Sequence, residues 1–144
     1  RRAVEILEMG CGLYSGEDRP VKIQELIEWI ERRAPGTYFP FMFPTTGPDA
    51  CSVVTLQAGS AKDRDTGASF PAFQVLVRGA SRDFEETEAR AYAIFNTIAN
   101  RKEQRIGAES VVVIYPVGSV PFFIGIDEVQ RPIFSMNFNL IIRP

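Results

Sequence analysis

The chain has no histidine, only two cysteines and no long apolar run. Each shortage removes a class of function. Without histidine there is no Cys/His zinc centre and no triad that relies on an imidazole base. Cys11 and Cys51 stand far apart and belong to no ligand-spacing motif. Whether they meet depends on the fold, and buried free thiols are the preferred reading. No stretch reaches the roughly 18 apolar residues of a membrane-spanning helix. No signal peptide is legible either, although the missing initiator Met suggests an absent or processed N-terminus. Net charge is also scarce, at −2 from 16 basic and 18 acidic residues. That balance argues against a dedicated nucleic-acid binder, which needs a concentrated basic face. The pairs Arg1-Arg2 and Arg32-Arg33 have acidic neighbours.

What remains is an ordinary globular composition, 45% hydrophobic and 24% charged over 144 residues. It reads as one domain spanning residues 1–144, with residues 1–20 as an N-terminal extension or loop. A chain of this length buries roughly 68–70% of its unfolded surface and needs no staple.

Periodicity places the elements. Residues 1–9 carry a short helical pattern, and Gly10, Gly12, Gly16 and Pro20 make residues 10–20 a loop. Ile23, Leu26, Ile27 and Ile30 recur at helical spacing, so residues 21–33 form a helix that ends at Ala34-Pro35-Gly36. Residues 38–43 are aromatic and extended, but Pro40 and Pro44 restrict them to an edge strand or ordered loop. Residues 50–57 and 70–78 are strands in an expected antiparallel pairing, joined by an exposed, mobile loop at residues 58–69.

Asp83 is a strong N-cap with Glu86 three residues on, opening a helix over residues 83–100. A polar link ending at Gly107 follows. Residues 111–115 form a continuous apolar run, expected as a central strand buried on both faces. Residues 122–126 are a further strand. In the last, Phe134, Met136, Phe138, Leu140 and Ile142 alternate with Ser135, Asn137 and Asn139, which fixes its register. The sum is an α/β chain of the α+β kind. Its expected sheet is mostly antiparallel with four to five strands, carrying two main helices.

Candidate chemistry is thin. Glu85-Glu86 and Asp127-Glu128 are carboxylate pairs with acid–base capacity. Their settings, a helix first turn and an interstrand turn, favour structural roles. Gly10, Gly12 and Gly16 lack the Gly-Lys-Ser/Thr of a phosphate loop. Asp63-Arg64-Asp65 lacks the calcium-loop pattern. Phe39, Phe41 and Phe43 have no interleaved Lys or Arg, so packing or an apolar subunit contact suits them better than base stacking. No catalytic, metal-binding or cofactor-binding residue is assigned.

Three stretches carry a resemblance. One is Phe73-Gln74-Val75-Leu76-Val77-Arg78 followed by the helix with its Ala-Tyr-Ala-Ile-Phe core. Another is Val120-Pro121-Phe122-Phe123-Ile124-Gly125-Ile126-Asp127-Glu128, with Arg131 and the alternating strand behind it. The third is the first helix, then residues 38–44 and Pro48-Asp49-Ala50. In this order they resemble the minor capsid and tail-terminator family of long-tailed bacteriophages and related particles. The likeness covers residues 21–144. Pro132 departs from it, standing where a glycine-containing turn is expected.

The resemblance implies a small structural virion protein, assembled in the bacterial cytoplasm, that forms a homohexameric ring. Such a ring terminates the tail tube at its head-proximal end, joins it to the head-completion or connector protein, and passes DNA through its lumen without sequence-specific binding. On that reading Phe39, Phe41, Met42 and Phe43 are the expected subunit contact. Lys62, Asp63, Arg64 and Asp65 are the expected tube- or lumen-facing loop. The alternatives are a head-completion or connector ring protein, a small α+β enzyme or ligand-binding module, and, against the charge, a nucleic-acid-binding module.

Overall fold

The computed structural model describes residues 21–144. The expected helix at residues 1–9, the loop at residues 10–20 and Cys11 lie outside the described residues. The first helix, α1, is Ile23–Arg33. Of its predicted stripe Leu26, Ile27 and Ile30 are buried and Ile23 is half-buried, and Trp29 joins them inside. The Glu25 carboxylate accepts the Lys22 N–H at 3.4 Å and so relieves one unpaired amide of the first turn. At the other end Arg33 donates to Trp29 O and Gln104 Oε1, and its guanidinium lies 4.3 Å from the Trp29 ring centroid. The second helix, α2, is Phe84–Ile98, with the Asp83 carboxylate accepting the Glu86 N–H at 3.2 Å as its cap. Thr87, Ala91, Ile94, Phe95 and Ile98 form its buried face.

The strands are β1 (Tyr38–Pro40), β2 (Cys51–Ser60), β3 (Phe70–Arg78), β4 (Arg101–Ile106), β5 (Glu109–Pro116), β6 (Phe122–Ile126) and β7 (Pro132–Ile142). Among the described residues seven strands replace the four to five expected. They build one mixed sheet in the order β1-β2-β3-β7-β5-β4, and β6 also pairs with β7. The β1–β2 pair is parallel and the other pairs are antiparallel. Because α1 packs on β1 and β2 and also on β4, the sheet curls around it. The architecture is therefore α+β.

Three expectations need correction. The polar link after α2 is a strand: Arg101-Lys102-Glu103-Gln104-Arg105 has no apolar period, and its pairing with β5 makes it β4. The β4–β5 turn is the two-residue Gly107-Ala108, where Gly107 takes φ +61°, a conformation open to glycine. Next, β5 is not buried on both faces. Val111 and Ile114 are buried while Tyr115 is exposed, because helices cover only one side of the sheet. Finally, β2 runs on to Ser60, through a bulge in which Gly59 has φ +68°.

The expected antiparallel pairing of β2 with β3 is present, with Val54 opposite Val75. Across β3 and β7, Phe73 opposes Phe138, Val75 opposes Met136 and Val77 opposes Phe134. Directly opposed residues share a face, so these rows form one apolar floor under the helices. Phe138 stacks on Phe73 with centroids 5.1 Å apart and meets Phe95 of α2 at 5.7 Å. A one-residue slip of β7 would turn all five of its buried hydrophobes outward.

Candidate assembly surfaces

Among the described residues the sheet has three strands with an open edge, β1, β4 and β6, and their chemistry differs. The β4 edge is guarded by charge, since five of its six residues are Arg, Lys, Glu or Gln. Glu103 is tied to Arg143 by two contacts of 2.9 and 3.0 Å, which hold its carboxyl below the usual range.

The β1 edge is guarded by proline. Ser52 N donates to Thr37 O and Phe41 N donates to Val54 O, so alternate residues of β1 serve β2. Pro40, at the outward position between them, has no N–H to offer a further strand. Met42 N then donates to Pro40 O at 2.8 Å, closing a γ-turn around Phe41 at φ +70°. An aromatic residue in this left-handed region is strained. The turn divides the four predicted contact residues. Phe41 and Met42 point outward, 57% and 73% exposed. Phe39 and Phe43 are half-buried. The Phe39 ring reaches the turn at Pro44 and Gly47. The Phe43 ring lies 4.4 Å from the Arg78 guanidinium carbon.

Arg78 anchors this segment. Buried on the outer side of the sheet, it donates to Asp49 O at 2.9 Å, to Pro48 O at 3.1 Å and to Cys51 Sγ at 3.5 Å. Burial is the main influence on the Cys51 thiol and pushes it up, although Arg78 acts in the opposite direction.

Lys62, Asp63, Arg64 and Asp65 sit at the opposite end of the sheet, in the exposed β2–β3 loop. This loop is organised by its own hydrogen bonds. Asp63 Oδ1 accepts from Asp65 N at 2.9 Å and Thr66 N at 3.4 Å, and Gly67 N donates to Asp63 O. Those amides hold the Asp63 carboxyl below its usual range.

Among the described residues nothing guards the β6 edge. Val120, Phe122, Ile124 and Ile126 are all exposed, Phe122 at 69%. Phe123, also exposed, meets Phe84 edge-on at 6.1 Å and Phe134 at 5.4 Å. The arm is nonetheless firmly placed. Gly79 N donates to Pro132 O, Arg82 N to Gln130 O and Ser81 Oγ to Val129 O. Burial is the largest single influence on Asp127 and raises it. Hydrogen bonds from Arg131 N, Arg131 Nε and Val129 N outweigh that and hold the carboxyl below its usual range. Arg131 also reaches Asp49 at 2.9 Å, fastening the β6–β7 turn to the end of the β1–β2 connection.

Gln130 explains the absent turn glycine. It takes φ +69°, the position a glycine would fill, and Pro132 follows as the first residue of β7, where proline is tolerated. Sequence reasoning gave this arm no role. The available signal was the run Val120–Ile126, which is apolar at both parities and therefore asks for cover on two sides.

A cleft of about 370 Å³ lies between the α1–β1 turn and the start of α2. Its polar groups serve the chain itself: Arg78 holds Pro48 and Asp49, Asp83 caps α2, and Arg90 donates to Pro35 O at 2.6 Å. The carboxylates Glu85-Glu86 lie in the first turn of α2. Among the described residues no cluster of three His, Cys, Asp or Glu could hold a metal ion, and no helix is long and apolar enough to cross a membrane.

A sequence profile described as Bacteriophage tail terminator protein matches residues 24–144, nearly the whole chain. The chain belongs to the bacteriophage tail terminator family. This terminator is therefore a structural protein of a phage-type tail. No curated protein matches it. In fold it is similar to a chain from a solved structure described as "Virion of native gene transfer agent (GTA) particle". That chain is 14% identical with a TM-score of 0.58, and the alignment covers 84% of the terminator and 90% of the other chain.

Proposed function

We propose that the protein is a non-enzymatic ring subunit that ends the tail tube at its head-proximal side and joins it to the head connector. Family membership over residues 24–144 carries the tail role. The supporting geometry is a sheet with exposed apolar groups at two separate margins, Phe41–Met42 beside β1 and Phe122–Ile126 on β6. A protomer that needs two different neighbours requires such an arrangement, and rings arise when contacts of that kind close on themselves.

Phe41 and Met42 are the subunit-contact residues in this reading. Phe39 and Phe43 support them from behind. Lys62, Asp63, Arg64 and Asp65 face the tube or lumen, where the near-neutral charge lets DNA pass without sequence-specific binding. The ring's partners are its own copies, the tube protein and the head-completion protein.

Light scattering on the purified chain, with negative-stain images of the same fraction, tests this. The expected species has the mass of six copies and shows a central hole. Added to polymerising tube protein, it should cap the tubes at a fixed end. A chain that stays monomeric in the presence of tubes, and leaves their growth unchanged, refutes the reading.

A further inference from the structure

We infer that the β6 arm of one copy seats on the Phe41–Met42 margin of the next copy, so that a single head-to-tail contact repeats around the assembly. The inference rests on the ring reading above and names the two halves of its interface.

Continuity is the first argument. Val120, Phe122, Phe123, Ile124 and Ile126 follow one another along a single arm, each 44–69% exposed. That is more than scattered surface hydrophobes supply. A cover supplied by another folded chain fits it.

Edge chemistry is the second. Along β6 one row of backbone N–H and C=O groups faces β7, and no strand of the described residues pairs with the other row. Phe122, Phe123, Ile124, Gly125 and Ile126 include no charge and no proline to deter another chain. Gly125 has φ +134° and nothing within 4 Å of where a Cβ would stand. A bare backbone there admits close approach from outside.

Placement is the third. In the order β1-β2-β3-β7, with β6 on the far side of β7, the two apolar margins lie at opposite ends of the same row of strands. Every copy thus carries one of each, and its described residues do not bring the two together. Two different patches that meet between copies form a heterologous contact, which is the kind that closes into rings. The β1 margin offers side chains without a free ladder because of Pro40. It should therefore meet the arm through Phe41 and Met42 packing on Phe122 and the neighbouring Ile124, and not through an added strand, since Ile126, past the β6 bulge, lies on the other face.

The test places a charge on each margin in turn and reads mass by light scattering, with circular dichroism to confirm the fold. Both positions are exposed, so Met42→Lys and Phe122→Glu should fold normally. Each alone should be monomeric. An equimolar mixture at high concentration should give twice the monomer mass and nothing larger, because each pair keeps one intact contact and ends the chain.

Several results overturn the inference while leaving the ring intact. One is Met42→Lys assembling like the unaltered chain. Another is Phe122→Glu doing so. A third is two monomeric variants whose mixture stays monomeric to the highest soluble concentration. An unaltered chain that never assembles, alone or on tubes, refutes the ring reading and this contact with it.

Discussion

The Arg78 guanidinium stacks over the ring of Phe43, 4.4 Å from its centroid, while its nitrogens bind the carbonyls of Pro48 and Asp49. One buried cation thereby fixes both arms of the connection between β1 and β2. The outward Phe41–Met42 tip rests on that connection. Arg78→Met should cost about 2–4 kcal/mol, the combined scale of a charged hydrogen-bond pair and a partly desolvated cation–π contact. Arg78→Lys should recover little of it, because an ammonium lacks the planar fork. Urea unfolding of all three chains decides the point. A loss under about 0.5 kcal/mol in Arg78→Met would place it with ordinary surface changes and sink the anchor role.

Phe41 inverts a familiar preference. At most positions glycine is less stable than alanine by about 0.5–1 kcal/mol. At φ +70° the Cβ carries a left-handed penalty of about 1–2 kcal/mol, so Phe41→Gly should be at least as stable as Phe41→Ala. Both should lose assembly, since the exposed ring is gone. Thermal unfolding of the two monomers, side by side, checks the sign. Alanine clearly ahead of glycine would mean the turn relaxes elsewhere.

Acid dependence follows from three depressed carboxyls. Glu103 is held down mainly by Arg143, Asp63 by the Asp65 amide, and Asp127 by Arg131 and Val129 against the opposing effect of burial. A depressed folded value means that the unfolded chain binds the proton first. The stability these groups contribute is thus full above the ordinary carboxylate range of about 4, and it is lost as pH falls through the lower folded values. No histidine titrates between, so stability should stay nearly flat from about pH 5 to 8. At the alkaline end the Cys51 thiol and Tyr38 hydroxyl, both raised chiefly by burial, favour their protonated forms in the fold. Stability should decline as pH passes their ordinary values of about 8.5 and 10. Unfolding curves across that span test all of this, and a sharp change near pH 6.5 would contradict it.

Deleting residues 63–66 removes the loop's hydrogen-bonded turn while leaving the β2–β3 ladder below it. The chain should still assemble, because both apolar margins lie elsewhere. Its rings should fail to cap tubes. Normal capping, seen by electron microscopy as tubes no longer than those grown with the unaltered chain, would remove Asp63, Arg64 and Asp65 from the tube-facing role.

Both helices and the strands with strict alternation were legible from sequence because each carries its own period. Asp83 announced α2, and Phe134, Met136, Phe138, Leu140 and Ile142 announced the buried face of β7. The near-absence of chemistry was legible too, since a missing histidine needs no fold to be noticed. Other features had no local signal. Arg101–Ile106 is a strand only because β5 supplies its ladder, and charged residues on an edge cost nothing there. Phe39, Phe41, Met42 and Phe43 look alike in sequence. A γ-turn and a buried arginine send two of them inward and two outward. Val120–Ile126 asked for burial on both faces, and only the packed sheet shows that the described chain leaves it open. Sequence determines what each segment can do alone, through spacing and residue type. Which edges are paired and which apolar faces still want a partner is decided by contacts between distant segments, and those exist only once the sheet has closed around its helices.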